Sequence, residues 1–174
     1  MGRLEVIGAQ VLTAKMLELP RDIRLAVEKT AMKEASEILV DSLRQASLRH
    51  VDTGALKSSF KHDIRKTKDG NAVIGKVGVD YNVVGTVERS KKGKRVFKKN
   101  KAASGKIRRP AKYYHLLLKG TQDRTTKAGH NRGIMPECNF RDEVFARHAV
   151  FIQRLFEKAA EEALKKWQSE NLPF

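Results

Sequence analysis

Residues 89–112 carry twelve lysines and arginines and no carboxylate: Arg89, Lys91, Lys92, Lys94, Arg95, Lys98, Lys99, Lys101, Lys106, Arg108, Arg109 and Lys112. A stretch of one charge sign repels itself and cannot be buried, so the folded body must come from the chain on either side. The block accounts for most of the formal net charge of +16, leaving +4 to everything outside it. Its concentration predicts a mobile basic loop over 88–112 that waits for a polyanion, and double-stranded DNA bound without sequence preference is the expected one.

The remaining chain is long enough for one domain over 1–174, with 40% hydrophobic residues to supply its core. A sequence pI near 10.1 points to nucleic acid, a membrane surface or acidic protein. The membrane is excluded as the expected partner, because no run approaches the ~20 apolar residues a spanning helix requires. Within the block only Val96, Phe97 and Ile107 are large and apolar, too few for an interfacial helix. Glu5, Gln10 and Lys15 interrupt any signal-peptide pattern, and the single cysteine, Cys138, rules out an internal disulfide framework. A reducing cytoplasm suits such a chain.

Two helices bracket the block. After Leu19-Pro20, apolar and small residues recur at Ile23, Val27, Ala31, Ala35, Ile38, Leu39, Ser42, Leu43 and Ala46, predicting a first helix over 20–48. Val144, Phe145, His148, Phe151, Ile152, Leu155, Phe156, Ala159, Ala163, Leu164 and Trp167 form a wider stripe, predicting a C-terminal helix over 141–168. Between them the period drops to two. Segments 59–66 and 72–80 flank Lys68-Asp69-Gly70-Asn71, a hairpin signal, and Tyr81–Val87 reads as a third strand, so 59–87 is assigned to sheet. Tyr113–Leu118 fits a fourth strand or one helical turn, and Lys119–Gly133 reads as a second basic loop with Arg124, Lys127, His130 and Arg132. The fold class predicted is α+β: a small antiparallel sheet of three to four strands packed by two long amphipathic helices, with a long basic inter-strand loop.

Chemistry-bearing constellations are scarce. His50, His62, His115, His130 and His148 show no metal-ligand spacing, and His148 lies on an apolar stripe where a core histidine is the commoner occurrence. Cys138 lacks an activating histidine nearby in sequence and reads as a small thiol in the interior. The glycines between Gly70 and Gly78 open no helix and lack the lysine and hydroxyl of a phosphate loop. The chain is therefore expected not to be an enzyme and to use no cofactor or metal. For the block, two readings stand: a solvated loop without a ligand, or phosphate contacts that position a duplex without reading bases, since a lone Phe97 supplies neither a recognition helix nor a stacking row.

One resemblance gives these features a context. Val51-Asp52-Thr53-Gly54-Ala55-Leu56-Lys57-Ser58-Ser59-Phe60 resembles the Asp-Thr-Gly-x-Leu segment of the neck and tail-completion (head–tail joining) proteins of long-tailed bacteriophages, a family to which the lambda minor tail protein Z is distantly similar. Tyr113-Tyr114-His115-Leu116-Leu117-Leu118-Lys119-Gly120-Thr121 is similar to that family's Tyr-to-Gly-Thr run, and Pro136–Phe140 to its Pro-x-Pro-Phe segment, in the same order over about residues 4–165. Leu118 or Lys119 stands where relatives carry an acid, and Glu137-Cys138-Asn139 replaces a second proline. In this motif Asp52 or Thr53 is expected to cap a short helix, Gly54 to permit close approach, and Leu56 and Phe60 to enter the core. Tyr113, Tyr114, Gly120, Thr121, Pro136 and Phe140 complete the structural set.

The resemblance implies a virion structural protein at the head–tail junction, assembled in the bacterial host cytoplasm. It implies a self-associating ring, six-fold by expectation, that meets tail-tube and head-connector proteins, with basic loops facing the DNA channel. Two other classes fit the charge: a cellular non-specific nucleic-acid-binding protein, and an adaptor whose basic loop grips acidic protein surfaces.

Overall fold

The computed structural model describes residues 17, 19–50, 54–90, 94–99, 107–123, 125–131 and 133–171; for Arg49, His50, Arg89, Ile107 and Arg108 it describes the backbone only. The chain is α+β. Helix α1 spans Arg21–Ala46, followed by 3-10 turns at Ser47–His50 and Lys57–Ser59. Strands β1 (Phe60–Lys66), β2 (Val73–Val79), β3 (Gly85–Arg89), β4 (Arg95–Lys99) and β5 (Ile107–Arg108) come next, then helices α2 (Ala111–Lys119) and α3 (Phe140–Asn171). No helix among the described residues is long and apolar enough to cross a membrane.

Helix α1 begins where the Arg24 amide donates to the Pro20 carbonyl (3.0 Å), with Asp22 in its first turn and Arg44 in its last, the charge order that suits the helix dipole. Its buried side consists of Leu25, Ala31, Ala35, Ser36, Leu39, Val40 and Leu43. Leu25, Ser36 and Val40 widen the stripe read from the sequence, and small residues at its middle let neighbouring backbone come near.

Contacts group the chain into two units, each assembled from separated stretches: Met1–Leu39, His62–Val77 and Phe145–Phe174 in the first, Val40–Lys61 and Gly78–Val144 in the second. In the first unit, buried Leu19 and Ala160 are surrounded by Ile23, Val27, Ala163, Leu164 and Trp167, so α1 and α3 share an apolar seam. The same unit holds the turn between β1 and β2. There the Thr67 hydroxyl accepts from the Asn71 and Ala72 amides (3.2 Å each), and the Gly70 amide donates to the Thr67 carbonyl (3.0 Å). Arg21 on α1 donates to the Gly70 carbonyl (3.0 Å), and Met32 lies over Gly75, where a Cβ would stand 2.7 Å from the Met32 Cγ.

The second unit is centred on three rings. Phe60, Tyr114 and Phe140 meet edge to face, with centroids 5.9 Å apart for Phe60 and Tyr114, 6.4 Å for Phe60 and Phe140, and 6.3 Å for Tyr114 and Phe140. Such geometry adds about 0.5–1.5 kcal/mol per pair beyond area burial. Arg44 donates to the Phe60 carbonyl (3.2 Å), tying the end of α1 to the start of β1.

The strands form two sheets rather than the one expected: the hairpin β1–β2, and a three-stranded sheet ordered β4–β3–β5. The third strand begins at Gly85, later than Tyr81, because Tyr81 and Asn82 turn where the Asp80 carboxylate accepts from the Asn82 amide (2.9 Å). Tyr113–Leu118 is helical; the Tyr113 and Tyr114 amides both donate to the Pro110 carbonyl (3.2 Å each), and Gly120 ends the helix at φ +68°.

The long basic loop is the main correction. Arg95–Lys99 is a strand, paired along its whole length with Gly85–Arg89, and Ile107–Arg108 pairs on the other side of β3. The argument from self-repulsion fails here because β4 is an edge strand: its cations stay in water while its backbone pairs, a common way of guarding a sheet edge. Val96 and Phe97 supply the strand-forming side chains. Lys91, Lys92, Lys101 and Lys106 lie outside the described residues.

Candidate polyanion-binding sheet

The β3–β4 register pairs Gly85 with Lys99, Val87 with Phe97 and Arg89 with Arg95, and β5 places Arg108 opposite Gly85. Directly opposed residues of an antiparallel pair share a face, and alternate residues along a strand do too. One face therefore takes Arg95, Phe97 and Lys99 from β4, at register positions matched by Arg89 and Arg108. Arg95 and Lys99, four residues apart, are separated by about 13 Å of strand.

Gly85 makes this face possible. A Cβ there would stand 2.6 Å from the Phe97 Cε2 and closer still to the Lys98 carbonyl oxygen, so the half-buried Phe97 ring occupies the place a side chain would take. On the other face Lys98 reaches Glu88 at 2.7 Å, both well exposed. Such a surface pair is worth roughly 0–1 kcal/mol, enough to bias the register without neutralising the hairpin. Lys94, Lys98, Lys99, Arg109 and Lys112 are exposed, as is Arg95. Phe97, Glu88 and Gly85 had no place in the site as read from sequence. The signal was present: a β-branched and an aromatic residue amid cations, with Gly-Thr-Val upstream.

The second basic loop closes on itself. Thr125 bridges Asn131, the Asn131 amide group donates to Asp123 (3.2 Å), and Lys127 and His130 are exposed. Arg124 and Arg132 are outside the described residues.

Residues singled out by the motif resemblance converge in the second unit. Leu56 and Phe60 are buried, and Tyr114 and Phe140 complete the ring trio. Gly120 and Thr121 meet the Pro136 segment, where the Thr121 amide donates to the Met135 carbonyl (2.8 Å) and the Cys138 amide to the Leu117 carbonyl (3.1 Å). A Cβ on Gly120 would stand 2.9 Å from the Glu137 nitrogen, so positive φ and close approach both favour glycine. Tyr113 is half-buried and Pro136 exposed. Gly54 differs from expectation: nothing lies within 4 Å of a Cβ there, and its φ of +73° is what calls for glycine. Asp52 and Thr53, the expected caps, are outside the described residues; the Lys57–Ser59 turn that follows has no side-chain cap, and the Ser59 hydroxyl donates to the Leu56 carbonyl (2.7 Å).

Perturbed titration falls beside the rings. Burial pushes the Tyr114 phenol up from its ordinary value, and the hydrogen bond from Arg141 (2.8 Å) holds the Asp142 carboxyl down. Arg141 and Asp142 pair with each other within α3, and these groups carry no arrangement of nucleophile and base. Among the described residues no three histidines, cysteines or carboxylates gather as a metal would need. A scan against family models, a search of curated proteins and a search of solved structures each return no match.

Proposed function

We propose that this chain is a non-catalytic virion structural subunit of the head–tail junction, one that assembles as a ring and holds duplex DNA weakly and without sequence preference. The observation that carries the reading is the cationic sheet β4–β3–β5, in which a fixed register aligns Arg95 and Lys99 beside the positions of Arg89 and Arg108. Its phosphate contacts would release counterions, with a salt slope near 0.9 per phosphate neutralised on duplex, roughly. The motif resemblance and the meeting of its segments around Phe60, Tyr114 and Phe140 support the virion context.

Six copies would set about seventy block cations around one duplex, which carries a charge per ~1.7 Å of axis. Contacts held on exposed, solvated side chains keep such a channel passable. The test replaces Lys91, Lys92, Lys94, Lys98 and Lys99 with glutamine and follows annular particles by electron microscopy and DNA retention in assembled particles. Rings that persist while retention falls are expected. Unchanged DNA retention with lost assembly would shift the reading to an adaptor for acidic protein, and tight duplex binding by a monomer to a cellular nucleic-acid-binding protein.

A further inference from the structure

Helix α3 carries an exposed face that no part of its own unit covers. Arg147, Val150, Phe151, Arg154 and Lys158 recur at the three- and four-residue spacing of one helix side and are all exposed; Val150 keeps 60% and Phe151 51% of its surface in water. Helix α1 exposes an acidic row at the same spacing, Glu34, Glu37 and Asp41. Among the described residues none of Arg147, Arg154, Glu34 and Glu37 is held in an ion pair, whereas Asp41 is paired with Arg44 (2.9 Å) and Lys158 approaches Glu162 (3.8 Å).

We infer that a second copy of this chain lays the acidic row of its α1 along the basic and apolar face of α3. Arg147 and Arg154 are seven residues apart, as are Asp41 and Glu34, so both rows span about 10 Å. In either direction Arg147 and Arg154 fall opposite the two ends of the acidic row, Glu34 and Asp41. Val150 and Phe151, at the middle of the face, supply the desolvated apolar contact that charge alone lacks, and the flanking charges set register and encounter. The two rows are distinct patches, so the contact repeated head to tail is heterologous and closes into a ring when its rotation permits. This deepens the ring of the proposed function and rests on it.

The test uses the full chain in two charge-reversed forms, Arg147→Glu/Arg154→Glu and Glu34→Lys/Glu37→Lys, with circular dichroism confirming that these exposed substitutions leave the fold in place. Sedimentation at low salt is expected to show self-association of the native chain, weakened on the order of a hundredfold in either variant. Mixing the two variants restores association, because each then offers the other a matched pair of rows. Variants that assemble as the native chain does, or that fail to complement each other, overturn this interface while leaving the ring reading in place. A native chain that stays monomeric overturns both.

Discussion

The molecule contains two hairpins of similar size and opposite dependence on their surroundings. The β1–β2 hairpin is fastened from outside: Arg44 holds the Phe60 carbonyl at one end, and Arg21 holds the Gly70 carbonyl at the other. The β3–β4 hairpin is fastened from within, by Phe97 seated over Gly85, the Glu88–Lys98 pair and the Ser90 amide donating to the Lys94 carbonyl (2.8 Å). A charged element, if it is to take up the proposed duplex, has to hold its shape without burying its charges. Self-contained register supplies that, whereas a hairpin that contributes to cores can borrow stability from helices.

Substitutions at matched positions break or sharpen this contrast. The largest effect belongs to Phe60→Ala, which removes the ring shared by Tyr114 and Phe140; a loss of about 3–5 kcal/mol in denaturant unfolding is expected. Next is Gly85→Val, whose side chain has no room beside Phe97 and the Lys98 carbonyl. A cost of roughly 1–3 kcal/mol is expected, read as lost amide protection in 85–99 and weaker duplex binding, with the 60–79 hairpin intact. Gly78→Ala, where nothing lies within 4 Å, is the matched control and leaves both readouts nearly unchanged. Arg21→Ala, by removing an exposed side-chain hydrogen bond to the turn, costs about 0.5–1.5 kcal/mol and leaves duplex binding alone.

The smallest effect is a pH dependence. Burial raises the Tyr114 phenol, so the folded chain holds that proton more tightly than the unfolded one. Its stabilisation is complete below the ordinary phenol value of 10.0 and lost as pH rises through the higher folded value. Tyr114→Phe should flatten that alkaline decline in thermal unfolding scans and leave the acid limb unaltered.

The α+β class was legible because burial is periodic: the three-and-four repeat after Pro20 and the Asp69-Gly70 turn declare themselves locally. The basic sheet was not legible for a physical reason. Strand formation in Arg95–Lys99 depends on partners six to fourteen residues upstream and on a glycine there with room for Phe97, facts of register rather than composition. Charge density argued for a loop, yet edge pairing leaves the Lys98 and Lys99 ammonium groups solvated. Tyr113–Leu118 was ambiguous between strand and helix because its run is short, and Pro110 with Gly120 settles it only once their backbone angles are seen. Val40 and Leu25 were missed on α1 because an apolar stripe read at one width hides a second contact side.

The first unit takes its residues from three distant stretches, with Leu19 sealed by Ala160, Leu164 and Trp167. On the ribosome, where the chain emerges at about 5–20 residues per second, that seam has no lid until synthesis has passed Trp167, while the ring trio of the second unit is complete at Phe140. During synthesis the three rings are thus all made while Leu19, Ile23 and Val27 still lack the residues of α3 that cover them.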